Sequence, residues 1–376
     1  MMQVSVRTGI RPNVFATRKA SARMRNSALI PTRLIVMIVF SILGITGCRS
    51  SNTCPAADDY LELSNLNRSD LQLRIDEYSK SIEVERDNAD LYVARGMAYD
   101  QQGDYETAIS NYDQAIDLDP QHYSAHVNRG ANYLDLGDID QAIADFDVAI
   151  SLLPACSPAY HNRGWAQFQE GDHNQARLDL NQAIALDPQS AQSFYVRGLV
   201  FIELGDLGKA KADLSQCIEL DSEVPDAYYQ RAYISLNAAD FKSAIADLDK
   251  FILLVPGEPE GYYSRGLAYA MAGEYQSAIL DLSEYVNLFP DGIDGYYTRA
   301  VSYMELGLYE DALKDLDIAL QINPGDVGVL YLRGEIYAVM GQTDKALSDI
   351  ENSLDMGLPP DLQQTAEALL RELKKP

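Results

Sequence analysis

From residue 89 onward, apolar and small residues return to the same places in a 34-residue frame, eight times over, without insertion or deletion. The frames begin at Ala89, Tyr123, Ser157, Ala191, Pro225, Pro259, Ile293 and Val327. Counting each from 1, positions 4, 8 and 11 recur at helical spacing, as do positions 20, 24 and 27. The pattern therefore predicts two helices per frame, A and B. Position 8 is Gly, except at Ala232 and Ala300, and position 20 is always Ala (Ala108 through Ala346). Position 24 is always large, from Tyr112 and Phe146 to Ile350. Small residues at 8 and 20 let the two helix backbones approach, and a larger side chain at 8 would overpack the crossing by about 1–3 kcal/mol.

The breaks between helices are equally regular. Gly at 15, replaced only by Ala239, ends helix A in a left-handed conformation, and Asp at 16 is a start signal for helix B. Pro at 32 in six frames ends helix B, because its ring cannot continue the hydrogen-bond ladder. Each frame is thus one helix–turn–helix unit that buries its apolar face only by stacking on its neighbours.

These slots, with Tyr at position 11 in five frames, resemble the tetratricopeptide repeat (TPR) family over residues 89–360. The resemblance implies an all-α fold, a right-handed α-solenoid in which helices A line a concave groove that holds a protein or peptide partner. Repeats 1 to 8 are expected at 89–122, 123–156, 157–190, 191–224, 225–258, 259–292, 293–326 and 327–360. Residues 58–88 read as a degenerate partial repeat: a short helix over 58–66, then a B-like helix over 69–86 with Ser69 as its N-cap. Residues 361–376 read as an amphipathic helix that closes the open end of the stack.

Charge separates the N-terminus from the rest. The chain of 376 residues carries a formal net charge of −26, yet residues 1–57 hold eight Arg or Lys and no acid, leaving −34 for the remainder. So acidic an array repels phosphate and excludes nucleic acid as a partner. Residues 34–46 form an apolar run too short to span a bilayer, behind Arg33. Together they read as a secretory signal over 1–47, with a more ordinary start at Met24. Ile45-Thr46-Gly47-Cys48 resembles a bacterial lipoprotein cleavage box. The resemblance implies lipidation of Cys48, a tether over 48–57 and a place on the cell or outer membrane of a bacterium, facing periplasm or exterior.

Catalytic chemistry has no foothold. There is no phosphate loop, HExxH or nucleophile elbow, and the glycines are explained by packing and helix termination. We expect a non-enzymatic scaffold with no cofactor and no metal. His122 and His126 stand four apart, but His126 fills packing slot 4 and no third ligand accompanies them. Cys217 takes a small buried slot, Cys54 lies in the tether and Cys156 in a turn. No disulfide framework follows, and a bridge from Cys54 to another chain stays open. Arg at position 7 in all eight repeats and Asp at 23 in seven predict a ladder of Arg–Asp pairs, within or between repeats.

The resemblance to the TPR family implies that the recognition surface is the A-helix face at positions 2, 5, 9 and 12. It carries Trp165 and Phe168, and a row at position 5 of Tyr195, Tyr229, Tyr263, Tyr297 and Tyr331. Two readings of the row stand: rings offered to a bound segment, or rings packed between successive helices A. The alternatives to an adaptor are a glycan or small-ligand binder, and a subunit of an enzyme complex that processes envelope polymer.

Overall fold

A computed structural model describes Cys54, Leu63 and residues 65–375. The expected signal over 1–47, the lipidated Cys48 and most of the helix expected over 58–66 lie outside the described residues. The chain divides into two compact units, with the boundary between Arg231 and Ala232.

The first unit contains α1 (Arg68–Val84), α2 (Ala89–Gln101), α3 (Tyr105–Leu118), α4 (Tyr123–Asp135), α5 (Ile139–Leu152), α6 (Ser157–Glu170), α7 (His173–Leu186), α8 (Ala191–Glu203) and α9 (Leu207–Leu220). Helix α10 (Pro225–Asn237) carries the boundary. The second unit contains α11 (Phe241–Leu254), α12 (Pro259–Ala272), α13 (Tyr275–Leu288), α14 (Ile293–Glu305), α15 (Tyr309–Ile322), α16 (Val327–Val339), α17 (Thr343–Asp355) and α18 (Pro360–Leu373). Each of these helices packs on the next within its unit, so the core runs as a continuous seam rather than one globule.

The punctuation acts as its chemistry requires. Gly103, Gly137, Gly171 and Gly205 take φ between +76° and +92° after the A helices. Ala239 must hold φ 57° without glycine's freedom, a conformation that costs roughly 1–2 kcal/mol. Asp104, Asp138, Asp172, Asp206 and Asp240 each accept a backbone N–H three residues on, capping the B helices. Proline is not essential at position 32: α9 ends at Leu220 as its counterparts do, although Ser222 stands there. The cap of α1 is a correction. Asn67, not Ser69, starts the helix, because its Oδ1 accepts the N–H groups of both Ser69 and Asp70.

Close helix approach explains the small residue at position 8. A Cβ on Gly96 would lie 2.6 Å from the Tyr112 ring, and one on Gly130 would lie 2.7 Å from Phe146. Their large partners at position 24, with Leu180, Leu214, Leu248, Leu282 and Leu316, are fully buried. At the far end Ala366 and its neighbours on α18 cover the cluster around Tyr331, Ala346 and Ile350.

Candidate interaction surface

Arginine at position 7 is spent on structure. Arg129 donates from Nε and Nη2 to both oxygens of Asp145, 2.8 and 2.7 Å away, and from Nη1 to Asp113 at 2.6 Å. Arg163, Arg197, Arg265, Arg299 and Arg333 repeat the fork on Asp179, Asp213, Asp281, Asp315 and Asp349. Their third bond goes 16 residues back, to Asp147, Asn181, Asp249, Ser283 and Asp317. The guanidinium is thereby shared between its own repeat and the one before. In Arg129, Arg163, Arg265 and Arg333 these carboxylates push the pKa above its ordinary value. Such arginines are not available to an anionic ligand. The sequence pointed to position 23; the second acceptor, always Asp, Asn or Ser at position 25 of the preceding repeat, was equally readable and is part of the same device.

The rings of His122 and His126 are likewise engaged. His122 Nε2 lies 2.9 Å from Asp90, while His126 meets Asp145 at 3.0 Å and the Pro120 carbonyl at 3.2 Å. Among the described residues no group of three His, Cys, Asp or Glu side chains is placed to hold a metal.

Cys54 and Cys156 form a disulfide, with Cα atoms 5.5 Å apart, across 102 residues of sequence. Sequence reasoning left open whether Cys54 forms a disulfide, and with which chain. The bridge holds Cys54 at the start of α6, where it packs against the cluster of Tyr123, Val127, Cys156 and Ala159. Spacing alone carries no signal for it. Cys217 is buried, and burial pushes its thiol up to about 12.

The position-5 tyrosines divide. Tyr195, Tyr229, Tyr263 and Tyr331 are buried, and only Tyr297 is half-open. Tyr263 packs at a tilt against Tyr285 of α13 with ring centroids 5.1 Å apart, and the Tyr331 hydroxyl donates to Glu335 at 2.6 Å. These four rings are packed in this state, as the second of the two readings of the row has it, and Tyr297 is its half-open member. On α6 the picture differs. Trp165 is half-buried and stacks on Phe168 at 5.5 Å, with Phe168 itself buried and its ring 5.5 Å from His173. On α6 Asn162 Nδ2, Gln167 Oε1 and Gln169 Nε2, and at the start of α7 His173 Nδ1, are buried with no hydrogen-bond partner among the described residues; Asn162 and Gln169 stand one turn either side of Trp165. One turn before Trp165, His161 bonds Ser193 at 3.0 Å, and burial lowers its pKa to about 4.

Tandem helix pairs stacked in register, tied by a repeating charge ladder, define the class of helical-repeat solenoids. Family models described as tetratricopeptide repeat match residues 93–160 and 229–293, 191–224 and 293–326, and one described as TPR repeat matches 164–205. The chain belongs to the tetratricopeptide-repeat proteins. Among solved structures it is similar to the C-terminal part of a TPR repeat-containing protein of Cytophaga hutchinsonii, with 18% identity and TM-score 0.54 over 64% of this chain and 98% of that one. It is also similar to pilF of Pseudomonas aeruginosa, with 18% identity and TM-score 0.51 over 55% and 94% of the two chains. PilW, a type IV pilus biogenesis factor, matches with 21% identity and TM-score 0.50 over 54% and 94%. At these identities the likeness is one of fold. A comparison with curated proteins gives no match.

Proposed function

We propose that the protein is a lipid-anchored, non-enzymatic adaptor that holds a protein or peptide segment on its A-helix face at the bacterial envelope. The observation that carries the reading is the set of unpaired polar groups beside Trp165. A buried polar group without a partner costs about 1–3 kcal/mol, so Asn162 Nδ2 and Gln169 Nε2, one turn either side of a half-open indole, amount to unspent bonding capacity. A bound segment supplies partners for them while its side chains cover the indole. Placement outside the cytoplasm is supported by the Cys54–Cys156 bond, since disulfides persist in oxidising compartments. The lipid anchor is Cys48, six residues before Cys54.

Two measurements test this. Trp165→Ala, assayed by co-purification from solubilised membranes, is expected to lose a specific protein that the wild type retains, with helicity unchanged. Retention of every wild-type partner refutes the surface. Metabolic labelling with a palmitate analogue is expected to mark the wild type and not Cys48→Ser; equal labelling refutes the anchor.

A further inference from the structure

One bond decides where the stack is fastened to its tether. Cys54 is joined to Cys156, the residue that caps the start of α6, with the two Cα atoms 5.5 Å apart. Its side chain packs against the cluster of Tyr123 and Val127 of α4 and Ala159 of α6. The next described residue is Leu63, nine positions on. Leu63 is buried with Leu71 and Ile75 of α1 and Val93 and Met97 of α2. The N-terminal segment therefore holds the stack at two places, and the one that comes first in sequence lies deeper among the repeats.

A pull from the N-terminal side reaches Cys54 before it reaches Leu63. The covalent bond passes it to the start of α6, so α1 carries none of it. Cys48, the proposed lipid-bearing residue, stands six residues before Cys54 and fifteen before Leu63. An extended residue spans at most about 3.3–3.6 Å, so those lengths reach about 20 Å and about 50 Å. Charge makes the reach matter. Residues 58–376 carry a formal −34, and an anionic phospholipid surface repels them. Distance from the bilayer is then limited by the length of chain to the first point of attachment, not by adhesion.

We infer that the disulfide makes the junction of repeats 2 and 3, and not the N-terminal end of the stack, the point at which the protein is fastened to the membrane. The inference rests on the lipid-anchor reading and adds to it a place and a distance. With the bridge intact, the start of α6 is held within about 20 Å of the acylated residue, plus the 5.5 Å step across the bond. Trp165 follows nine residues along α6 from Cys156, about 14 Å at 1.5 Å per residue. The proposed partner-binding face therefore works beside the lipid surface, on segments that lie close to it. Without the bridge the hold passes to Leu63, and the limit set by the tether more than doubles.

Trp165, the only tryptophan, is a built-in distance probe. The test uses the full mature lipoprotein in vesicles of phosphatidylethanolamine and phosphatidylglycerol that carry a dansyl headgroup, and reads energy transfer from Trp165. A flexible twelve-residue Gly/Ser insert adds about 20 Å of reach. Between Asn52 and Thr53 it lengthens the path to Cys54 and is expected to lower transfer efficiency at least twofold. Between Asp58 and Asp59 it lies inside the disulfide loop and is expected to leave transfer unchanged. Both inserts leave the bridge and the repeats intact, so neither outcome depends on a destabilised fold. In Cys54→Ser with Cys156→Ser the two inserts should act alike, since both then lie on the only path to Leu63. Equal loss of transfer from the two inserts in bridged protein overturns the inference, as does no loss from either. Absent palmitate labelling removes the anchor and the inference together. Labelled, vesicle-bound protein whose transfer ignores the insert before Thr53 leaves the anchor standing and overturns the fastening point alone.

Discussion

The Cys54–Cys156 bond makes a quantitative prediction about the N-terminal end of the stack. It closes a loop spanning 102 residues that encloses α1 to α5. Chain entropy alone assigns such a closure about 4.7 kcal/mol of stability at 25 °C, lost when both cysteines become Ser. In a repeat array each unit is supported only by its neighbours, so the loss falls on the repeats inside the loop. Trp165, the only Trp, stands on α6, whose N-cap is Cys156, and reports on that end. With a urea slope of about 2 kcal/mol/M, the Trp165 transition of Cys54→Ser/Cys156→Ser is expected to fall by about 2 M. Thiol titration in denaturant checks the premise: mature wild type lacking the lipidated cysteine should expose one thiol, Cys217, and three after reduction. An unchanged Trp165 midpoint in oxidised-verified protein refutes the reasoning, since the loop would then constrain nothing that folding uses.

Other expectations are narrower. Gly130→Leu drives a side chain into the Phe146 ring and should destabilise by at least about 1–3 kcal/mol in urea titration; a neutral effect would mean the α4–α5 crossing can open. Asp213→Ala strands the Arg197 guanidinium and should cost about 3 kcal/mol, whereas Asp147→Ala, removing a half-exposed carboxylate, should cost under about 1 kcal/mol; equal costs would deny the ladder its inner and outer rungs. His161 is held at about 4 in the folded chain against 6.5 when free, so its contribution is complete above pH 6.5 and is lost as pH falls toward 4. Relative to His161→Gln, the wild type should lose about 2 kcal/mol between pH 7.5 and pH 5, read from urea midpoints. Parallel curves for the two proteins would place the His161 ring in water.

The helices were legible because their determinants are local. Gly at 15, Asp at 16 and the small residue at 8 act within one or two turns, and a 34-residue period repeats the message eight times. The inner rungs of the ladder were legible too, since antiparallel helices bring positions 7 and 23 level. Features that join distant segments were not. Nothing in the spacing of Cys54 and Cys156 reveals that the two meet at the start of α6. The Tyr row shows a subtler limit. Periodicity gives the direction in which Tyr195 or Tyr263 points, but whether neighbouring helices close over the ring depends on their separation, which no single repeat encodes. The unpaired groups near Trp165 escape for the same reason, because burial of an amide is a property of what surrounds it.

The ladder bears on how such a protein changes length. Each rung reaches 16 residues forward and 16 back, so a duplication or deletion of one whole 34-residue unit restores an identical junction, wherever the break falls in the frame. Position 25 is Asp, Asn or Ser in every one of the first seven repeats, which means each repeat already offers an acceptor to whichever arginine follows. An unequal recombination event then orphans no buried charge and leaves both ends with their own caps. Gain or loss of units is therefore an accessible step for this gene, while any slip of a different size strands a guanidinium and is removed by selection on folding.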